Sequence, residues 1–328
     1  MDVTSAYQLV GDIGGTNARF ALAAMGTDGL PRLEGVTRLC CADFPGLAEA
    51  AAHFLRHTDA RPHRALLAVA APVPGDRVRI TNNPWAFSVR ETAAGLGLPL
   101  RVVNDFAAVS RALPLLRDAD VVAVGPALVP AAGPRQAYAV LGPGTGLGVS
   151  GLIVERERFS VIESEGGHLA FAPADAVEED ILRLLSARHG RVSTERLVSG
   201  MGIANVYQAL REIAGLAPQP ATPEEVSAQA EADPAGLAAQ ALDRVCAMLG
   251  AFAGDVALAF GAWQGVYLHG GVAQKLLPRL QRGGFRQRFE GKGRHAALMR
   301  TVPTCLIAHP HAGLLGAAAM VLEPENLP

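Results

Sequence analysis

The feature that most limits how this chain can fold is a unit that it carries twice. Gln8 to Asp12 is a short apolar strand that enters Ile13-Gly14-Gly15-Thr16-Asn17-Ala18-Arg19 and continues as apolar Phe20 to Ala24. Ala137 to Leu141 is another, entering Gly142-Pro143-Gly144-Thr145-Gly146-Leu147-Gly148 and continuing as Val149 to Val154. Strands joined by a short glycine-rich turn pair as tight hairpins. A dinucleotide-binding turn would lead into a helix, which the second copy lacks. Glycines let backbone N–H groups approach phosphate, Thr16 adds a hydroxyl, and Asp12 is placed to hold a magnesium ion through water. A lone Gly-Gly-Thr would more simply be an ordinary turn beside a solvated Asp12. The longer string from Gly11 to Arg19 is far more specific, and two such hairpins on opposite walls of one cleft would cradle one phosphate chain.

A second constraint is Leu100 to Ser110. The β-branched pair Val102 and Val103 runs into Asn104 and Asp105, and an alanine-rich helical pattern follows. Ligands in open α/β sheets sit where strands hand over to helices, so Asp105 is placed for chemistry. Taken alone, Asn104 or Asp105 is more readily a helix cap, and only the rest of the chain changes that. Around this stretch, Leu33 to Cys41 reads as a strand, Leu47 to His57 as an amphipathic helix and Ala65 to Ala71 as a strand. Trp85 and Phe87 read as core or cleft-wall anchors. The order implies a mixed sheet with helices on its faces. A Gly-, Pro- and Ala-rich shift at Val124 to Arg135 precedes the partial repeat.

In the second half, Glu165 and His168 flank Gly166-Gly167 after a strand around Phe159 to Glu163, and Glu195 opens a helix. Residue by residue, the first pair equally suits a turn with solvated tips, and a first-turn dipole residue is the default reading of Glu195. Helices are expected over Val177 to His189 and Gly202 to Ala214, with Ala235 to Gly261 either one long small-residue helix or a broken pair. Gly265 to Leu268 is a strand entering His269-Gly270-Gly271, and Ala312 to Leu322 a final helix crossing back to the first domain. His189, His295, His309 and His311 show no partner pattern and read as structural or exposed.

Composition excludes several classes. A net charge of -2 with no long basic block argues against nucleic acid, and no apolar run reaches membrane-spanning length. The first residues lack the pattern of a signal peptide. Cys40, Cys41, Cys246 and Cys305 have no metal-ligand spacing, so no structural zinc is expected and reduced thiols point to a cytoplasmic protein. Lys275 and Lys292 are the two lysines, and neither suits a P-loop or a protein-kinase strand lysine.

Taken together, Val10 to Arg19, Thr81 to Ser88, Asn104 to Ser110, Leu141 to Gly148 and Glu165 to His168 resemble bacterial glucokinase, of the hexokinase, Hsp70 and actin superfamily. Ser193 to Gly200, Leu268 to Gly271 and Gly313 to Gly316 extend the resemblance over nearly the whole chain. It implies an α/β fold of two ribonuclease-H-like, actin-like ATPase domains facing across a cleft. Residues 1–115 form a small α/β domain completed by a C-terminal helix at about 310–328, and residues 116–309 a large one.

The implied reaction is ATP-dependent phosphorylation of glucose at its 6-hydroxyl, with magnesium and in a homodimer. Asp105 is the implied base, and Asn104, Glu165, His168 and Glu195 hold the remaining hydroxyls. Gly11, Asp12, Ile13, Gly14, Gly15, Thr16, Gly144, Thr145, Gly270 and Gly271 line the nucleotide. These types suit the chemistry: sugar hydroxyls both donate and accept, and phosphoryl transfer relies on positioning and charge neutralisation. Departures from the pattern are Gln274 and Ala312, where the family often has proline. A DNA-binding sugar sensor would place a helix-turn-helix ahead of Gln8, and seven residues precede it. Other readings are a kinase for another hexose, a sugar-binding regulator, or an actin-like ATPase.

Overall fold

A computed structural model describes residues 7–130 and 133–323. The signal-peptide reading at the N-terminus, part of the Gly/Pro/Ala-rich shift and the last residues of the C-terminal segment lie outside them. The chain divides into two compact units, one from the described residues of Met1–Arg117 and His309–Pro328, the other Asp118–Ala308.

The first unit begins with β1 (Gln8–Ile13), β2 (Asn17–Met25) and β3 (Pro31–Cys40), then α1 (Leu47–Arg56) and β4 (Ala65–Val69). A short ribbon, β5 (Arg77–Arg79) and β6 (Ala86–Ser88), leads to α2 (Val89–Leu96), β7 (Leu100–Asn104) and α3 (Asp105–Ala112). The sheet order is β3-β2-β1-β4-β7, with β1, β2 and β3 antiparallel and β4 and β7 parallel to β1. A crossing helix is what a parallel return requires, and α1 and α2 supply the two crossings.

The second unit holds β8 (Val121–Ala123), β9 (Arg135–Pro143), β10 (Leu147–Glu155), β11 (Arg158–Ser164), α4 (Ala176–His189), α5 (Gly200–Ile213), α6 (Pro223–Ala232) and α7 (Leu237–Phe260). It ends with β12 (Gly265–Leu268), α8 (Gly271–Leu280), α9 (Gly284–Glu290), α10 (Ala296–Met299) and β13 (Thr304–Ile307). Its sheet order, β11-β10-β9-β12-β13-β8, repeats the path and strand directions of the first sheet and adds β8 antiparallel at the edge. The repeated hairpin is therefore the visible part of a repeated sheet. The strands β8 and β13 were not expected from the sequence: Val121–Ala123 and Thr304–Ile307 are too short to show a period against their surroundings.

The long alanine-rich segment forms one helix, α7, not a broken pair. Glycine inside a helix is unfavourable on its own, but a Cβ on Gly250 would stand 2.0 Å from the Phe285 carbonyl oxygen of α9. The close crossing of α9 fills that gap, with Phe285 and Phe289 fully buried. No helix of the described residues is long and apolar enough to cross a membrane.

The last helix, α11 (Ala312–Leu322), belongs to the first unit. It covers one face of that sheet, burying Leu314, Ala317, Ala318 and Val321 with Val10, Leu66 and Val103. The opposite face is buried under α1 with Phe20, Phe54, Leu67 and Trp85. At the crossing of α11 and α3, a Cβ on Gly316 would lie 1.7 Å from the Ala108 carbonyl oxygen. Backbone cannot yield as a side chain can. Gly316→Ala is expected to cost roughly 1–3 kcal/mol or more. Gly95→Ala, in a helix position with nothing within 4 Å, should gain roughly 0.5–1 kcal/mol. Chemical denaturation of both variants against the parent checks the pair.

Candidate active site

In the first unit the turn between β1 and β2 is gripped by its carbonyl oxygens. The Asn83 amide donates to the Gly15 carbonyl at 3.0 Å, and the Cys41 N–H to that of Thr16 at 2.9 Å. The Cys41 thiol reaches the Gly14 carbonyl at 3.7 Å. A trans peptide points its N–H opposite its C=O, so the N–H groups of Gly15 and Thr16 face away from this shell. A Cβ on Gly15 would stand 3.1 Å from the carbonyl of Asn82, itself held at φ 56. Asn83 also fixes its own loop, its Oδ1 accepting from the Trp85 N–H at 2.8 Å. The sequence showed only turn residues here, without the part Asn83 plays. Gly11 and Ile13 lie buried within β1, so the open part of the turn is Gly14 to Thr16.

Asp12, one residue before the end of β1, lies beside the start of α11, where a Cβ on Gly313 would come within 3.0 Å of its carboxyl carbon. Burial raises its pKa above the ordinary carboxylate value, opposed by the charges of Arg19 and His311. The Arg19 guanidinium is 3.6 Å away, and a quarter of the Asp12 side chain stays open. Neither Arg19 nor His311 was singled out by the sequence. His311, read as structural or exposed, gains its meaning only because α11 returns to the first sheet.

Asn104 caps α3, its Oδ1 accepting from the N–H groups of Phe106 at 2.9 Å and Ala107 at 3.3 Å. Its amide donates to the Ala71 carbonyl at 3.2 Å. The cap reading holds for Asn104, which anchors the strand-to-helix turn, and Asp105 is the first residue of the helix. The Asp105 Oδ1 accepts from the Phe106 N–H at 2.9 Å.

In the second unit the structure gathers Glu165, His168 and Glu195. His168 Nε2 lies 3.9 Å from Glu165, and its Nδ1 3.9 Å from Glu195. Both Glu165 and His168 are more than half exposed. Glu195 sits in a single 3-10 turn, Thr194–Arg196, where a longer helix was expected. Its Oε2 accepts from the Leu147 N–H at 2.9 Å, at the end of the β9–β10 turn. A Cβ on Gly146 would stand 2.5 Å from that oxygen, and one on Gly167 2.0 Å from the Leu147 carbonyl. The missing side chains let three separate segments meet. Thr145, His168, Ser193, Glu195, Ser199 and Met201 line a cavity of about 190 Å³ there.

A larger, more apolar cavity of about 280 Å³ lies on the other side of Gly144 and Thr145, walled by Ile203, Pro223, Val272 and Leu276. Gly270, at φ 100, brings the start of α8 to within 3.0 Å of the Pro143 carbonyl as measured from its would-be Cβ. Lys275 and Glu224 pair at its rim at 3.2 Å. These wall residues carry no motif, because a hydrophobic slot is written in ordinary core types. Among the described residues, no group of three or more His, Cys, Asp or Glu side chains is placed to hold a metal ion.

The sign of the Asp12 shift has a consequence for stability. Its folded pKa lies above the unfolded one. Its contribution therefore favours folding below the unfolded value and is lost as pH rises through the folded one. Asp12→Asn should melt higher than the parent at pH 7, with the gap closing as pH falls toward about 4. Melting curves at both pH values check this.

The glucokinase family model matches residues 9–324. A glucokinase of Stenotrophomonas maltophilia is 48% identical over 330 residues, covering 99% of this chain and 98% of its own. Among solved structures, the glucokinase from an Antarctic psychrotroph has a TM-score of 0.86 at 35% identity, covering 96% of this chain and 98% of that one. That of Balamuthia mandrillaris in complex with glucose has a TM-score of 0.72 at 21% identity, covering 98% and 94%. The fold is the α/β, ribonuclease-H-like fold of actin-like ATPases, and the chain belongs to the glucokinase family.

Proposed function

We propose that this chain phosphorylates D-glucose at its 6-hydroxyl with ATP, and that Asp105 is the general base. Family membership supports the reaction, and the observation that carries the site is the meeting of Glu165, His168 and Glu195 beside the second glycine turn. Two carboxylates and an imidazole suit a ligand whose every hydroxyl both donates and accepts. In this reading residues 1–115 with about 310–328 form the domain that carries the base, and 116–309 the domain that holds the sugar.

The Asp105 carboxylate takes the proton of the 6-hydroxyl as that oxygen bonds to the γ-phosphorus, and the bond to ADP breaks. The backbone N–H groups of Gly15, Thr16 and Thr145 receive the phosphates, those of Gly14 and Gly144 being already given to the carbonyls of Asn17 and Gly146, and the slot lined by Gly144, Ile203, Pro223 and Val272 takes the adenosine. Asn104 positions Asp105 through its cap and offers its amide to the sugar.

Asp12 suits a hydrated magnesium ion: it is a single hard carboxylate, part-open, with a glycine instead of a side chain against it. When bound, the ion neutralises phosphate charge. A cytoplasmic homodimer belongs to the same reading, on the family likeness alone.

Asp105→Asn should lose roughly two to four decades of kcat while still binding glucose, the range for loss of a general base. Near-normal turnover would remove the assignment. ADP release measured with glucose, mannose, fructose, N-acetylglucosamine and no sugar should be fastest with glucose. Sugar-independent hydrolysis would favour an ATPase, and binding without turnover a sugar-responsive regulator.

A further inference from the structure

Four residues with polar side chains line the apolar slot beyond Gly144: Thr145, Glu224, Ser227 and Lys275. Thr145 belongs to the glycine turn. Glu224 and Lys275 pair with each other at the rim at 3.2 Å, both 70% exposed. That leaves Ser227, a part-buried residue one turn inside α6, to which the reaction gives no task.

The Ser227 hydroxyl is committed on one side. Its Oγ stands 2.8 Å from the Pro223 carbonyl oxygen, one turn back along α6, and the hydroxyl has no other partner among the described residues. A carbonyl can only accept, so the hydroxyl hydrogen lies on that bond. Lone pairs are what remain on Oγ. A ligand in the slot therefore meets an acceptor there, and not a donor.

The walls formed by Ile203, Pro223, Val272 and Leu276 give a flat ring contact without direction. In a site of this kind the few polar groups fix orientation and selectivity. The two purines differ on the point Ser227 can test: adenine carries a 6-amino donor, guanine a 6-oxo acceptor. In one and the same pose the first pairs with Oγ. The second sets two acceptors against each other and leaves both unpaired in an apolar slot.

We propose that Ser227 selects the phosphoryl donor by its base, its Oγ accepting a hydrogen bond from the 6-amino group of adenine. The inference rests on the reading of this slot as the adenosine site. Ser227 stands apart from the reacting atoms, so it sets which nucleotide is held and leaves the transfer step to other residues. A neutral hydrogen bond of this kind is worth about three- to tenfold in binding, and opposed acceptors cost at least about as much again.

The test compares kcat/KM for glucose 6-phosphate formation with ATP, with purine riboside triphosphate, which has hydrogen at the 6-position, and with ITP, which has the 6-oxo group. The parent should prefer ATP to purine riboside triphosphate about three- to tenfold, and ITP should fall lower still. In Ser227→Ala, ATP should drop to within about twofold of purine riboside triphosphate, whose own value stays put, and the ATP-to-ITP ratio should fall about tenfold. Ser227→Cys, close in shape and a weak acceptor, should behave as Ser227→Ala does and serves if that variant does not fold.

An unchanged ATP-to-ITP ratio in these variants overturns the inference. So does an equal loss with all three nucleotides, which is what a merely structural role for Ser227 produces. Photolabelling of the parent with 2-azido-ATP in the presence of glucose tests the slot separately. Label on α6 or α8 with an unchanged ratio removes Ser227 and leaves the slot reading standing, whereas label on neither helix removes the slot reading first.

Discussion

Each unit depends on backbone standing where a side chain would have to be. In the second unit the constraint is sharpest at Gly146 and Gly167. The Glu195 carboxylate reaches the Leu147 N–H only because Gly146 carries no Cβ, and the segment Glu165 to His168 lies against the Leu147 carbonyl only because Gly167 carries none. Glu195 is thereby spent partly on structure, one oxygen holding the turn while the other faces His168. A single hydrogen bond thus ties the glycine turn to the polar cluster, and rigidity of the one is rigidity of the other.

The first unit solves the same problem with different parts. Its turn is held by Asn83 and Cys41 through carbonyl oxygens, which aims the N–H groups the other way. Its acidic residue, Asp12, is set against the open first turn of α11, and burial works against its charge. The close crossing of α11 on α3 at Gly316 keeps that turn in place. Gly313 and Gly316 are one turn apart on α11, so the packing on α3 fixes the turn that faces Asp12.

Much of this was legible in the chain. The paired hairpins, the strand into Asn104 and Asp105 and the central strands follow from glycine placement and short apolar runs, which are local signals. Which of Asn104 and Asp105 caps α3 could not be decided by sequence, because a cap asks for the same small polar types at either position. The strands β8 and β13 were missed for being too short to carry a period. The single span of α7 was undecidable because the glycines that argue against a helix are required by the neighbour that crosses it.

By itself, then, the sequence determined the repeated strand–turn–strand unit, the α/β class and the residue types available for a sugar and a phosphate chain. Only the tertiary structure decided that Glu165, His168 and Glu195 meet, that Asn83 grips the first turn, and that Gly313 reaches Asp12. The reason is distance along the chain. Turn and strand preferences act over a few neighbouring residues, whereas each of these meetings joins segments that approach only after helices and sheet have packed.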